Sequence, residues 1–454
     1  MAEAREAEAL TTEALKDLDE AIDSRELSLA DFQDYPHRDI FAKTVRFKRF
    51  MEDAHARGHD LYRRTLLGGS EHRVIMRDPY TGEVREMVMM ASNNYLGLTT
   101  HPKVVAAGRE ANEKYGAGAG SVPLLAGTLD LHRQLEERLA KFKGCEDAII
   151  FTSGYSSNVG CVSGLVRQGD VAINDRINHA SIVDGCRLSG GDVKWFRHND
   201  MKSLARALRD CDKAYNGKLI IVDGVFSMDG DIAPLPQIVE LARQYGARVM
   251  IDEAHASGVI GEHGRGTPEH WHMEGQVDIV AGTLSKGLGG VGGFVASTKE
   301  VVNYLRFYAR SYMFSTAMPP AVTASLIAAI DVIENEPELR ERLWHNIRYM
   351  MTHLREMGFD LGNAETAIIP IIIGDDLKVK EMAAEIHRRG VFVNPVFYPA
   401  VARRKSRIRL SLMATHTQED LDQTLEAIEA TAKQFGVLPK LYGGARPQSE
   451  EDEE

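Results

Sequence analysis

The sequence predicts an α/β fold built on a mainly parallel sheet, and two observations carry the prediction. Short apolar runs at 147–152, 170–174, 218–223, 247–252, 278–283 and 292–296 alternate with helix-patterned stretches such as 130–143, 155–167, 200–210 and 235–245. That alternation gives parallel strands covered by helices on both faces. The second observation is where reactive side chains fall. Asp252 closes one apolar run and Lys286 lies just past another, at the carboxyl ends of strands, where such sheets bind ligands.

Taken in order, residues 1–24 read as a polar, Ala/Glu-rich helix that need not join the core. Residues 37–58 read as a second helix, with Phe41, Val45, Phe47 and Phe50 on or near one face. Strands at 72–77 and 84–90 follow, joined by the turn-forming segment Asp78-Pro-Tyr-Thr-Gly82. After the alternating region comes a long helical stretch, 319–357, opened by Pro319-Pro320 and divided by Pro337. The remainder reads strand (367–374), helix (378–389), two strands (391–395 and 408–413) and helix (417–434). The expected division is an acidic N-terminal extension (1–36), an N-terminal arm (37–99), a large α/β domain (100–335), a C-terminal α+β domain (336–438) and an acidic tail (439–454).

Composition narrows the class. The chain has 454 residues, 44% hydrophobic and 26% charged, enough for a large core in a globular protein of two or three domains. No apolar run reaches the roughly 20 residues that span a bilayer, and the acidic start has no apolar h-region of an export signal. The four cysteines, Cys145, Cys161, Cys186 and Cys211, lack metal-ligand spacing and read as reduced thiols of a cytoplasmic protein with no metal. Of the net charge of −12, residues 1–24 carry −6 and Glu450–Glu454 carry −5, leaving −1 on the rest. That balance argues against nucleic acid as a partner, and the tail is expected to stay solvated and disordered.

Four features of the alternating region converge on one cofactor. Lys286 in Gly282-Thr-Leu-Ser-Lys286 offers an amine at a strand end, with Thr283 and Ser285 as hydroxyl donors to a phosphate. Asp252, 34 residues earlier, would hold a pyridine nitrogen protonated, and His255 would donate to the ring's phenolic oxygen. Thr152-Ser-Gly154-Tyr-Ser-Ser-Asn158 lies between a strand and a helix, where backbone N–H groups bind phosphate. His179, in Asn178-His179-Ala-Ser181, could stack on an aromatic ring. An amine for a Schiff base and a carboxylate for the pyridine are the minimum kit for pyridoxal 5'-phosphate (PLP). Lys286, once displaced by a substrate amine, is free to act as a general base if burial lowers its pKa.

The chain resembles the α-oxoamine synthase family of PLP enzymes (fold type I) from about residue 40 to 435. The matching stretches include Ala91-Ser-Asn-Asn-Tyr-Leu-Gly-Leu98, Gly127-Thr-Leu-Asp-Leu-His132, Asp223-Gly-Val-Phe-Ser-Met-Asp-Gly-Asp231, Asp252-Glu-Ala-His255 and Ile408-Arg-Leu-Ser-Leu-Met-Ala-Thr-His416. Gly390-Val-Phe-Val-Asn-Pro395 and Ser411-Leu-Met-Ala-Thr-His-Thr417 point to its bacterial serine palmitoyltransferase branch. The resemblance implies a PLP-dependent transferase fold with a seven-stranded, mainly parallel sheet in the large domain. It implies Lys286 as Schiff-base lysine and proton carrier, His179 stacking on the ring and bonding the substrate, and Asp252 and His255 tuning the ring. Gly154, Tyr155, Thr283 and Ser285 would hold the phosphate. Asn93 and Ser227 would line the substrate side, and Arg409 would grip the amino acid carboxylate, a role for which Arg407 competes. Ser315 and Thr316 would reach the phosphate of the other subunit of a homodimer.

The branch also implies a reaction: decarboxylative condensation of L-serine with a long-chain acyl-CoA (palmitoyl-CoA) to 3-ketosphinganine, CoA and CO2, the first step of sphingolipid synthesis. A lipid-like product would bring transient contact at the inner membrane. Val122-Pro123 stands where that branch carries an Arg-Phe pair, which implies a reshaped acyl or CoA channel. Two substrate alternatives keep the fold, glycine C-acetyltransferase and 8-amino-7-oxononanoate synthase. An alternative of another class is a non-catalytic partner subunit, against which Lys286 itself argues.

Overall fold

The computed structural model describes residues 22–437. The expected helix at 1–24, save its last three residues, and the acidic tail lie outside the described residues. At the centre is a seven-stranded sheet formed by β3 (Asp147–Phe151), β4 (Val171–Asp175), β5 (Asp192–Phe196), β6 (Lys218–Asp223), β7 (Arg248–Asp252), β8 (Ile279–Thr283) and β9 (Gly293–Ser297). Its spatial order is β3-β9-β8-β7-β6-β4-β5. Only β9 runs against the rest, pairing antiparallel with both β3 and β8; the other pairings are parallel.

The apolar runs become strands because both faces are covered. Side chains alternate along each strand, so Ile220 and Val222 join one core cluster with Leu204, Leu208, Ile238 and Leu339. Leu219 and Ile221 join another on the opposite face, with Cys161, Val162, Ile182 and Leu305. The six strands expected from apolar runs are all present. The seventh, β5, is Asp-Val-Lys-Trp-Phe and carries no such run, because it is the edge strand and mostly exposed.

Two smaller sheets flank this core. Strands β1 (Arg73–Arg77) and β2 (Val84–Met89) form an antiparallel pair, as expected. Strand β11 (Val391–Phe392) extends it in parallel, Val391 opposite Val88, so the N-terminal arm shares a sheet with the C-terminal part of the chain. Strands β10 (Ile368–Ile372), β13 (Arg407–Ser411) and β12 (Asn394–Val396) make the third sheet. Glu336 caps the break between helices Pro320–Asn335 and Pro337–Glu356, so Pro337 opens a helix, where its missing N–H costs nothing. The helix Ala42–Ala56 departs from its expected apolar face. Phe50 is buried against Phe32, but Phe41 precedes the first turn and is 69% exposed, and Val45 and Phe47 are exposed too. No helix among the described residues is long and apolar enough to cross a membrane.

One buried ion pair links the helix Asp130–Lys143 to the segment after β7. Lys143 Nζ lies 3.4 Å from Glu253 Oε2 and donates to the Arg265 carbonyl at 2.7 Å. Burial pulls the lysine pKa down and pushes the glutamate up. Replacing Lys143 with Met strands the Glu253 carboxylate, and we expect a loss of about 3–5 kcal/mol. A lower urea midpoint at unchanged slope is the readout.

Candidate active site

The site forms where β4, β6, β7 and β8 end. A cavity of about 250 Å³ is lined by Gly154, Tyr155, Asn158, His179, Ser181, Asp223, Ser227, Asp252, His255, Thr283, Ser285 and Lys286. A larger cleft, about 540 Å³, opens at the opposite strand ends. Its cations are already paired, Arg248 with Asp278 at 2.6 Å, Lys218 with Asp212 at 3.3 Å and Lys143 with Glu253. The smaller cavity instead gathers titratable groups with shifted affinities, the mark of a reactive site.

Lys286 Nζ sits 2.7 Å from His255 Nε2. Burial pulls its pKa down to about 8, against the pull of Asp252, and burial holds His255 well below its usual value. A neutral His255 then accepts at Nε2 from the lysine and donates Nδ1–H to the Tyr95 oxygen at 2.6 Å. Tyr95, fully buried, donates on to Asn93 Oδ1 at 3.3 Å. That same oxygen accepts from Arg409 Nη2 at 3.2 Å. A continuous hydrogen-bond chain thus runs from the amine to the guanidinium.

The second network organises the carboxylate and the imidazole. Asn158, in the helix Gly154–Leu165, donates to Asp252 Oδ2 at 2.6 Å and to Ser181 Oγ at 2.9 Å. The Ser181 hydroxyl donates to His179 Nδ1 at 2.7 Å, which leaves Nε2 to carry the ring proton. Burial keeps His179 below its usual pKa, so the ring is neutral. Asp223 lies opposite Asp252 across the β6–β7 register. Burial and that neighbour push its carboxyl well above the usual range. It accepts from the His179 N–H at 3.4 Å.

The far end of the cavity suits a phosphate. Gly154 opens its helix; Ser153 Oγ caps the Ser156 N–H, and the Gly154 and Tyr155 N–H groups precede the first intrahelical bond. A Cβ at Gly154 would come within 2.7 Å of Thr283 Cβ, so the two loops meet at the backbone and only glycine fits. Thr283 Oγ1 and Ser285 Oγ lie 2.8 Å apart. The Tyr155 hydroxyl is engaged with Asp184, which leaves its backbone N–H as the group to offer.

Arg407 and Arg409 share a face of β13, and their partners separate them. Arg407 pairs with Asp229 at 2.8 Å and donates to the Met228 and Lys405 carbonyls. Arg409 donates to the Ser227 carbonyl, Ser411 Oγ and Asn93 Oδ1, all neutral, so its charge is unmatched by these partners. Asn93 and Arg409 are therefore joined to the cavity through Ser227 and Tyr95 rather than lining it. Ser315 and Thr316 line a separate cavity of about 190 Å³ with Tyr312, Arg306 and Glu136. Sequence reasoning gave no role to Asn158, Ser181, Tyr95 or Asp223. Asp223 had a signal, since Lys218–Asp223 and Arg248–Asp252 are both apolar runs closed by aspartate.

The donor set fits PLP: an amine, a buried carboxylate, a glycine cradle that a Cβ would fill, and Asn158 Oδ1 buried without a partner among the described residues. Comparison with known proteins agrees. The aminotransferase class I and II family matches residues 85–428. The chain is 44% identical over 410 residues, 90% of its length, to the 4-hydroxy-2,2'-bipyrrole-5-methanol synthase PigH of a Serratia species, and spans 63% of that protein. It is 49% identical over 354 residues to 8-amino-7-oxononanoate synthase 1 of Bacillus subtilis, covering 78% of this chain and 90% of that one. A solved serine palmitoyltransferase with PLP superposes at a TM-score of 0.84 and 34% identity, covering 88% of this chain and all of that one.

The chain therefore belongs to the class I and II aminotransferases, PLP-dependent enzymes of fold type I. Within them it is an α-oxoamine synthase, an acyltransferase-type enzyme of a group that joins amino acids to acyl thioesters.

A lysine with a pKa near 8 is far more nucleophilic at neutral pH than one near 10.5. In cofactor-free protein, trace acetylation of Lys286 should titrate with a midpoint near pH 8. A free lysine amide added as an internal standard should titrate about two units higher. Peptide mass spectrometry across pH 6–11 reads both.

Proposed function

We propose that this protein condenses L-serine with a long-chain acyl-CoA, releasing CoA and CO2 and leaving a 3-oxo amine, 3-ketosphinganine when the donor is palmitoyl-CoA. The observation that carries the reaction type is the gathering of Lys286, Asp252 and His179 at one cavity, with Arg409 tied to Lys286 behind it by a hydrogen-bond chain. PLP, when bound, supplies the electron sink that makes a Cα–H bond acidic near neutral pH.

The chain's own residues do the rest. Lys286, easily deprotonated, takes the proton from the substrate Cα and returns one at the end. Asp252, fixed by Asn158, holds the ring nitrogen protonated. His179, its tautomer set by Ser181, presents Nε2–H to the substrate carboxylate or thioester oxygen, where charge develops. Arg409 has five N–H groups, of which three already donate to neutral acceptors. The remainder can take the amino acid carboxylate. Gly154, Tyr155, Thr283 and Ser285 anchor the phosphate. In a homodimer, common among family members, Ser315 and Thr316 would serve the partner's cofactor.

Serine is supported by two things. The structural likeness to serine palmitoyltransferase spans that whole chain. The product named for the Serratia relative bears a methanol group on ring carbon 5, beside the nitrogen, and oxygen on carbon 4. That is the skeleton left when the serine Cα joins an acyl carbon and loses CO2. A second reading is favoured by the identity to the Bacillus protein: alanine with a pimeloyl thioester, giving 8-amino-7-oxononanoate.

CoA release across a matrix of glycine, alanine and serine against acetyl-, pimeloyl- and palmitoyl-CoA separates the readings. We expect turnover in the serine row with palmitoyl-CoA. Turnover confined to alanine with the pimeloyl donor establishes the second reading instead. Arg409→Lys should keep PLP but bind the amino acid about 10- to 150-fold more weakly, because the two-pronged grip is lost. Absorbance titration of the PLP-loaded variant measures it.

A further inference from the structure

A half-buried histidine beside the site, held between two buried carboxylates, has no part in the chemistry above. His198, two residues past β5, reaches carboxylates on two different loops. Its Nδ1 lies 3.2 Å from both oxygens of Asp175, and its Nε2 lies 2.8 Å from Asp231 Oδ2. Asp175 is fully buried and Asp231 nearly so. Neither carboxylate can donate when ionised, so both ring nitrogens must carry protons. The ring edge packs on Phe226, centroids 4.4 Å apart. Asn199, held at a φ of 49°, reinforces the same two contacts: its N–H donates to Asp175 at 2.9 Å and its amide to Asp231 at 2.8 Å.

The two loops so joined both end in the site. Asp175 closes β4 and turns the chain towards His179, accepting from the Ile177 N–H at 3.0 Å while its carbonyl takes the Asn178 N–H. Asp231 closes the tight turn 226–231, its carbonyl accepting from the Phe226 N–H at 3.1 Å. That turn presents the Ser227 carbonyl to Arg409 Nε at 2.7 Å and Asp229 to Arg407.

We propose that His198 is a positioning residue: an imidazolium that ties the loop bearing His179 to the turn bearing Ser227, and so holds the imidazole and the Arg409 guanidinium at a fixed separation for the amino acid. This rests on the proposed amino acid role of Arg409. Burial alone would lower the histidine's pKa, but the two carboxylates outweigh it and raise it to about 10. The stability this contributes is complete below the unfolded value of 6.5, falls as the pH rises past it and is gone above the folded value, but the ring itself stays protonated across the neutral range. Holding a half-buried cation between two buried carboxylates costs desolvation. Its placement where two site loops meet makes geometry, rather than stability, the gain.

The test uses PLP-loaded His198→Gln, and His198→Gln combined with Asp231→Asn, which restores a neutral hydrogen-bonded pair. Hydrogen exchange should quicken in 175–179 and 224–233 and stay unchanged in 418–435. L-serine, or L-alanine under the second reading, titrated by absorbance, should bind about tenfold more weakly, with PLP affinity unchanged. The double variant should recover part of that loss. Wild-type exchange and affinity in His198→Gln would overturn the proposal, as would uniform loosening of all segments with loss of PLP. If neither amino acid perturbs the wild-type absorbance, the functional reading fails, and the exchange pattern alone decides the tie.

Discussion

Everything in this molecule's site follows from drawing a lysine largely out of water beside two carboxylates. Burying an amine costs free energy unless its charge is matched or given up. Here the fold does both in part: Asp252 and Asp223 pull the proton on, and desolvation pulls it off. The result is an amine poised near neutrality. The parallel sheet makes this possible, because β6, β7 and β8 end side by side and bring Asp223, Asp252 and Thr283 to one edge.

Two networks divide the labour around that amine. One runs Lys286–His255–Tyr95–Asn93–Arg409 and couples the base to the cation. The other runs Asp252–Asn158–Ser181–His179 and couples the acid to the imidazole. Each of these groups is held by a second residue with its own hydrogen-bond partners, which is how a site keeps its geometry within a fraction of an ångström. The antiparallel β9 contributes from the side: its first residue, Gly293, leaves no room for a Cβ against the Ser153 carbonyl and Gly154, and so lets the phosphate loop close.

Much of this was legible in the sequence, for physical reasons. Strands buried on both faces must be apolar, so β3, β4, β6, β7, β8 and β9 announced themselves. Lys286, Asp252, His179 and His255 stood out as charged or titratable groups at their ends. β5 stayed hidden because an edge strand needs only one apolar side. Asn158 and Ser181 stayed hidden because polar residues near a helix start usually cap it or face solvent. Only the three-dimensional meeting of two helices with β7 shows that they face the acid and the imidazole. Arg407 and Arg409 could not be told apart by spacing, since they share a strand face. Asp229, far away in the chain, separates them.

The doubly committed amide of Asn158 has an evolutionary cost. One side chain bonds the Asp252 carboxylate directly and, through Ser181, reaches the His179 imidazole. Selection for a new donor that reshapes the His179 side would disturb the electronic setting at Asp252. Diversification should therefore proceed around this joint rather than through it, leaving the shared pivot frozen while specificities drift.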